Sequence, residues 1–187
     1  MDVRRVCLIF LGIIFTVASA AVSAPNRNFD HEVVFEGLDG PDDATAADLN
    51  GDRRLDIIVS TDNGMAWFQN GGGHRPQWQR VHPISGDPSR QGFMGLWTGD
   101  FDSDGDLDLL TADIHGGQAY IFENASRSAT QWVKHDLPTW SKQGSHNLWV
   151  ADINADGMPD IIGKHYERGS ALEVWYNTLI KPALPSK

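Results

Sequence analysis

A nine-residue pattern rich in aspartate occurs three times in this chain of 187 residues. The copies are DLNGDRRLD (48–56), DFDSDGDLD (100–108) and DINADGMPD (152–160), and each begins 52 residues after the one before. Alternate side chains of a short loop can converge on one point, and Ca²⁺ prefers about six to eight oxygen ligands at about 2.3–2.6 Å. The pattern therefore predicts three copies of one structural unit, each with a loop suited to a hard cation.

The ligand scheme follows from the positions within the nine residues. Positions 1, 3, 5 and 9 supply side-chain oxygens, position 7 supplies its backbone carbonyl, and glycine at position 6 allows a tight turn. The predicted calcium ligands are Asp100, Asp102, Asp104, Asp106 and Asp108 in the second loop; Asp152, Asn154, Asp156, Met158 and Asp160 in the third; and Asp48, Asn50, Asp52, Arg54 and Asp56 in the first.

The first loop departs from this scheme because Arg53 replaces the glycine and Arg54 follows it. A bulky residue at positive φ costs about 1 kcal/mol, and two cations oppose a divalent ion. We expect the second loop to bind tightest, the third next, and the first to be weakest or empty. The alternative is that all three are Asp-rich turns held by side-chain to backbone bonds without an ion. An EF-hand is disfavoured, because position 12 is not Glu in any copy.

The N-terminus predicts export. Arg4 and Arg5 precede an apolar run (6–17) and the small residues 18–20, which is typical of a signal peptide cleaved after residue 20; an uncleaved anchor is the alternative. The single cysteine, Cys7, lies inside this segment, so no disulfide stabilises the mature chain. The net charge of −10 argues against a nucleic-acid partner. We expect a secreted, periplasmic or cell-surface protein without a membrane span in its mature form.

Each repeat contains short apolar and aromatic runs bounded by Gly, Asn and Asp, which predict strands, and no segment has the period of a long helix. Four strands in about 50 residues predict an all-β fold of β-propeller blades, each with four antiparallel strands. The predicted segments are a signal peptide (1–20), an N-terminal closing strand plus blade 1 (29–84), blade 2 (85–137), blade 3 (138–177) and a C-terminal tail (178–187).

Three blades are fewer than the four to eight of typical propellers. The third repeat also lacks a fourth strand, whereas residues 29–38 resemble the fourth strands of the other repeats and would complete the last blade. Three possibilities stay open: a fragment, an open array of sheets, or self-association with a second copy into a six-blade ring.

The segments ADLNGDRRLDIIV, GDFDSDGDLDLLTA and ADINADGMPDIIG, with the trailing WFQN, YIFEN and VWYN, carry a family resemblance. The chain resembles the FG-GAP or VCBS repeats of integrin-type propellers and of many secreted bacterial proteins. The resemblance implies a propeller blade with Ca²⁺ in the loop between its first two strands. It does not imply one activity, because function resides in sites added to the fold.

A second repeated element predicts a ligand site away from the Asp loops. The sequences SRQGFMGLW (89–97) and SKQGSHNLW (141–149) are also 52 residues apart, and each presents a basic residue followed by Gln-Gly. The candidate ligand-binding residues are Arg90, Gln91, Lys142, Gln143, Trp140, His146, His115 and His165. They predict a non-catalytic binding or adhesion module for an extracellular glycan or protein. Alternatively, Gln and Gly only form the turn, and Trp97 and Trp149 belong to the core.

Two other functions stay open. Three histidines, His115, His146 and His165, could form an open zinc site of a metal-dependent lyase or dehydratase, although they do not occupy equivalent repeat positions. The chain could also be a structural fragment of a larger surface assembly. Asn124-Ala125-Ser126 fits a glycosylation sequon, which matters only in a eukaryotic secretory pathway.

Overall fold

The structure, a computed structural model, describes residues 29–62, 64–81, 84, 92–113, 118–137, 145–165 and 171–179. The chain divides into two compact units, Met1–Val33 and Val34–Lys187. In the first unit the description covers residues 29–33, where Phe29 and Val33 are exposed. The predicted signal peptide lies outside the described residues. Within the described part of the chain, no helix is long and apolar enough to cross a membrane.

The described residues of the second unit form three antiparallel sheets. The first sheet contains β1 (Ala44–Ala47), β2 (Asp56–Thr61), β3 (Gly64–Asn70) and β4 (Trp78–Val81). The second contains β5 (Phe93–Gly99), β6 (Asp108–Asp113), β7 (Ala119–Asn124) and β8 (Trp132–Asp136). The third contains β9 (Ser145–Ala151), β10 (Asp160–His165) and β11 (Leu172–Trp175), with β10 in the middle. The prediction of an all-β chain is confirmed.

Each Asp loop joins the first two strands of its sheet. The strand pairing ends at Ala47 opposite Asp56, at Gly99 opposite Asp108, and at Ala151 opposite Asp160. The carboxylate at position 9 is therefore the first residue of the second strand in all three sheets. This register places the three loops at equivalent ends of their sheets.

The described strands do not close into a ring, so the propeller stays a prediction. The third sheet has three strands within the described ranges, and residues 29–38 contain none. Phe35, in the second unit, instead packs on Phe68 of β3 with ring centroids 5.4 Å apart, and the Arg80 guanidinium lies 5.0 Å from the Phe35 ring centroid. The role of residues 29–38 as a closing strand also stays a prediction.

The two main hydrophobic clusters lie between neighbouring sheets. Ile58 and Trp67 of the first sheet pack with Leu109 and Phe122 of the second. Leu110 and Ala119, on the opposite face of the second sheet, pack with Ile161 of the third. Adjacent strand residues point to opposite faces of a sheet, so the second sheet uses both of its faces, one against the first sheet and one against the third.

The interpretation of Trp149 as a core residue is wrong. Trp97, one repeat earlier, is half-buried against the cluster between the second and third sheets. Trp149 is 63% exposed, because no sheet follows the third one in the described structure. The same sequence position is therefore covered or uncovered according to the neighbour on that side.

Candidate metal centre

The backbone of the Asp loops bends at two positions with positive φ. Position 6 has this conformation at Gly105 (φ 96°) and Gly157 (φ 84°), and Arg53 adopts it in the first loop (φ 68°), as expected from the pattern. Position 4 has it as well, at Gly51, Ser103 and Ala155. The sequence pattern gave no sign of this second bend, because two of the three residues there are not glycine.

The carboxylates of the second loop converge. Ligand oxygens of Asp100, Asp102 and Asp108 all lie within 4.8 Å of one another. Within the described residues, no other group of three acidic, His or Cys side chains converges this closely. Oδ1 of Asp100 is buried and accepts no hydrogen bond in the structure. A buried carboxylate oxygen without a donor is costly unless a cation compensates it, so this loop has the donor set and the electrostatic need of a Ca²⁺ site.

Burial disfavours the charged forms of two of these acids. Desolvation raises the pKa of Asp108 to about 6, and the nearby Asp102 and Asp104 add to the rise, while amide hydrogen bonds oppose it. Desolvation also raises the pKa of Asp102, with contributions from Asp104, Glu123 and Asp100. A cation bound among these oxygens would reverse this preference, because an opposite charge favours the ionised carboxylates.

The first Asp of the other two loops is used differently. Asp48 accepts hydrogen bonds from the backbone amides of Asp52 (2.9 Å) and Arg53 (2.7 Å). Asp152 accepts the equivalent bonds from Asp156 (3.1 Å) and Gly157 (2.8 Å). Both oxygens of each carboxylate thus hold the loop backbone. In these two loops the alternative of Asp-rich turns held by side-chain to backbone bonds describes the geometry well.

The first loop also contains an internal cation. The Arg54 Nη2 donates to Asp52 Oδ2 at 2.5 Å, and its Nε donates to the carbonyl of Asn70 at 2.8 Å. The guanidinium therefore neutralises the carboxylate at position 5, one of the predicted ligands. This contact supports the expectation that the first loop is the weakest calcium site.

The carboxylate at position 9 has a role that the ligand scheme omitted. Asp108 accepts the amide of Phe101, at loop position 2, and the amide of Asn124, at the end of the third strand, at 2.8 and 2.9 Å. Asp160 accepts the amides of Ile153 and Asn177 in the same way, at 2.9 Å each. Position 9 therefore joins the loop to the end of β7 or β11, and in the second loop it also lies beside the other candidate ligands.

Two of the three asparagines at or just after the third strands, Asn124 and Asn177, connect neighbouring sheets. The Asn124 Nδ2 donates to the carbonyl of Leu49 in the first loop at 3.1 Å, and the Asn177 Nδ2 donates to the carbonyl of Phe101 in the second loop at 2.8 Å. Asn70, in the first sheet, donates instead to Leu55 of its own repeat at 2.9 Å. The recurrence of Asn at 70, 124 and 177 was the available sequence signal for this link.

This link decides the fate of the sequon. Asn124 is fully buried, and its amide nitrogen is engaged by the Leu49 carbonyl. The side-chain amide of Asn124 is therefore inaccessible in the folded chain. The recurrence of the residue reflects sheet stacking.

The second loop borders a polar group from its own sheet. Glu123 of β7 and His135 of β8 share a hydrogen bond of 2.6 Å between Oε2 and Nε2. These two side chains line, with Asp102 and Asp108, a cavity of about 190 Å³ whose remaining walls include Phe101, Ile121 and Leu179. Two of the three converging carboxylates, those of Asp102 and Asp108, therefore border this cavity.

The other predicted site residues are not placed by the structure. Arg90, Gln91, His115, Trp140, Lys142 and Gln143 lie outside the described residues. The backbones of His146 and His165 belong to β9 and β10, at the sheet end opposite the Asp loop, but their side chains are outside the description. The predictions of a basic ligand turn and of a histidine zinc site therefore stay predictions.

Comparison with known proteins supports the repeat assignment. The family model of the FG-GAP-like repeat matches residues 48–111 and 100–163, which together cover more than half of the chain. The matched segments begin at the first Asp of a loop and contain two loops each. The search of curated proteins gave no match.

Proposed function

Because the chain belongs to the FG-GAP-like repeat family, we propose that it is a secreted, calcium-stabilised and non-catalytic binding module for an extracellular glycan or protein ligand. The observation that carries the metal part is the convergence of Asp100, Asp102 and Asp108 around a buried oxygen that accepts no hydrogen bond. Carboxylate oxygens in a flexible loop suit Ca²⁺ better than Mg²⁺, which demands a near-ideal octahedron.

Calcium in this site would be structural. The second loop connects β5 to β6, and its Phe101 lies in the core against the third sheet. Neutralising the loop would stabilise the hairpin that supports both sheet boundaries. The ligand would bind elsewhere, and the repeated basic turn with Arg90 and Lys142 is our candidate for that surface.

The experiment that tests the metal part is a calcium titration by isothermal calorimetry, after removal of metal with a chelator. We expect Asp100→Asn to abolish the tightest binding event, because it removes the charge of the carboxylate whose buried oxygen accepts no hydrogen bond. The matched control is Asp48→Asn, the same position in the first loop, where both oxygens already accept backbone amides. We expect this control to leave the tightest event unchanged.

Two outcomes would count against the metal part of the proposal. The first is the absence of calcium binding to the intact chain, and the second is a larger loss of calcium affinity in the Asp48 variant than in the Asp100 variant.

The binding part has its own test, a glycan and protein array probed with the intact chain and with Arg90→Ala/Lys142→Ala. Equal binding by the two proteins would exclude the basic turn as the ligand surface.

A further inference from the structure

The outer face of the third sheet repeats a surface that is buried elsewhere in the chain. We call the forward face of a sheet the face that packs on the next sheet, and the back face the opposite one. In the first sheet the forward face includes Leu49, Ile58, Met65 and Trp67, all of which are almost completely buried against the second sheet. The forward face of the second sheet includes Phe101, Leu110 and Ala119, which are buried against the third.

The equivalent residues of the third sheet are apolar and uncovered. Loop position 2 is Leu49, Phe101 and Ile153 in the three repeats, and Ile153 is 45% exposed. Ile162 and Val174, which are paired on neighbouring strands of the third sheet, occupy equivalent repeat positions to two earlier pairs, Ile58–Trp67 and Leu110–Ile121. The exposed members of this third forward face are Trp149, Ile153, Leu172 and Val174. A contiguous apolar patch of this kind marks an interaction surface.

A backbone carbonyl at the same face also lacks the asparagine donor that its equivalents have in the other two repeats. The carbonyl at loop position 2 accepts the amide of Asn124 in the first repeat and of Asn177 in the second. In the third repeat this carbonyl belongs to Ile153, and no described residue donates to it. The Asn70 side chain of the first sheet, which no other sheet precedes among residues 29–179 as far as they are described, donates to Leu55 of its own repeat. At the internal boundaries, an asparagine side chain of one sheet donates to a loop carbonyl of the sheet before it. The first sheet has such an asparagine, Asn70, and the third sheet has such a carbonyl, that of Ile153, and neither is paired with another described sheet.

We propose that the forward face of the third sheet docks on the back face of the first sheet in a second copy of this chain, in a ring of two copies. Both internal boundaries pair a forward face with a back face, so the contact between copies would continue an interface already present twice in the molecule. Two copies of three sheets give six blades, within the usual range of propellers. A head-to-tail contact of this type closes into a ring or continues as a filament, and six blades permit closure.

The back face of the first sheet has matching chemistry. Phe35 covers Phe68 there and keeps 40% of its own surface exposed. In the ring, Phe35 would face the third sheet of the second copy, and Asn70 would turn from Leu55 to the Ile153 carbonyl. Residues 34–38, the part of the predicted closing strand that belongs to the second unit, would then lie at the boundary between copies, next to the third sheet, which has one strand fewer than the others among the described residues.

The first test is the mass in solution, by gel filtration with light scattering in the presence of calcium. We expect a dimer for the intact chain and a monomer for Val174→Asp. The matched control is Val133→Asp, because Val133 of β8 is similarly exposed (44%, against 37% for Val174) but belongs to the second sheet and not to the forward face of the third; it should remain a dimer. A monomer for the intact chain, a filament, or an equal effect of the two substitutions would overturn the proposal.

The second test identifies which faces pair. Phe35→Asp alters the back face of the first sheet and should also give monomers, with its fold checked by circular dichroism. In a head-to-tail ring, a mixture of Val174→Asp and Phe35→Asp can form a mixed dimer with one unaltered interface, so the mixture should regain part of the dimer. If two forward faces paired with each other, Phe35→Asp alone would remain a dimer, because it leaves the forward face intact, and that result would contradict the head-to-tail arrangement.

Discussion

The asparagine link between sheets gives a stability prediction with a control inside the same chain. Asn124→Ala removes the hydrogen bond from its Nδ2 to the Leu49 carbonyl, and Leu49 is 1% exposed. Asn70→Ala removes the equivalent side chain of the first sheet, whose amide donates to the carbonyl of Leu55, a residue that is 61% exposed. The two substitutions delete the same atoms at the same repeat position.

The environments of the two carbonyls set the difference in cost. A buried acceptor left without a donor costs about 1–3 kcal/mol, whereas an exposed one regains water and costs about 0.5–1.5 kcal/mol. Both variants lose a bond that the side-chain oxygen accepts, from the Gly72 amide in Asn70 (2.8 Å) and from the Ser126 amide in Asn124 (3.4 Å). Asn124→Ala also loses a long bond to the Leu107 carbonyl (3.5 Å) and leaves a small cavity, because Asn124 is fully buried. We expect a loss of about 3 kcal/mol for Asn124→Ala and of about 1 kcal/mol for Asn70→Ala.

The assay is equilibrium unfolding in urea, with the free energy of unfolding obtained by linear extrapolation. A difference of about 2 kcal/mol corresponds to about 4–8 °C in Tm for a chain of this size, so thermal melts provide a second measurement. Asn177→Ala, which loses the 2.8 Å bond to Phe101 at a half-buried position, should fall between the other two. The comparison is made in the monomeric Val174→Asp background, where Asn70 keeps its bond to Leu55. Equal costs for Asn124→Ala and Asn70→Ala there would show that the link between sheets adds nothing to stability.

The remaining predictions concern the metal loops. Without an ion, burial raises the pKa of Asp108 from 3.8 to about 6, so its ionisation weakens the fold as pH rises through this interval, by about 3 kcal/mol at neutral pH. Calcium should therefore raise Tm more at pH 7.5 than at pH 5, and an equal rise at the two pH values would contradict the role of Asp108. The double substitution Arg53→Gly/Arg54→Met gives the first loop the Gly157-Met158 sequence of the third and removes the guanidinium from Asp52. It should raise the calorimetric calcium stoichiometry relative to the intact chain, with Arg127→Gly as an exposed control that leaves it unchanged, and an unchanged stoichiometry in the double variant would refute the role given to Arg54.

Much of the fold could be predicted from the sequence, because its information is periodic and local. Short apolar and aromatic runs bounded by Gly, Asn and Asp predicted the strands, and the 52-residue repeat aligned them between sheets. The strained conformation of Arg53 followed from its place in the pattern alone. The exposure of Trp149 could not be predicted in this way, since it depends on whether another sheet follows.

The candidate site was predictable in composition but not in geometry. The sequence ranked the second loop first and the third loop next, but it did not predict that only the carboxylates of the second loop converge, while Asp48 and Asp152 turn to backbone amides. The difference arises from hydrogen bonds within five residues, which the spacing of acids does not report. The link through Asn124 escaped prediction for another reason, because its partner Leu49 lies 75 residues away.

Asp108 connects the metal loop to the stacking of the sheets. Its carboxylate holds the amides of Phe101 and Asn124; the Phe101 carbonyl accepts the Asn177 side chain from the third sheet, and the Asn124 side chain reaches Leu49 in the first. An ion that fixes Asp108 would therefore tighten both boundaries of the second sheet, whereas its loss would loosen both. A calcium ion in the second loop would contact one sheet but would stabilise both boundaries of that sheet. One tight calcium site among the three loops would therefore suffice to stabilise the stack of sheets.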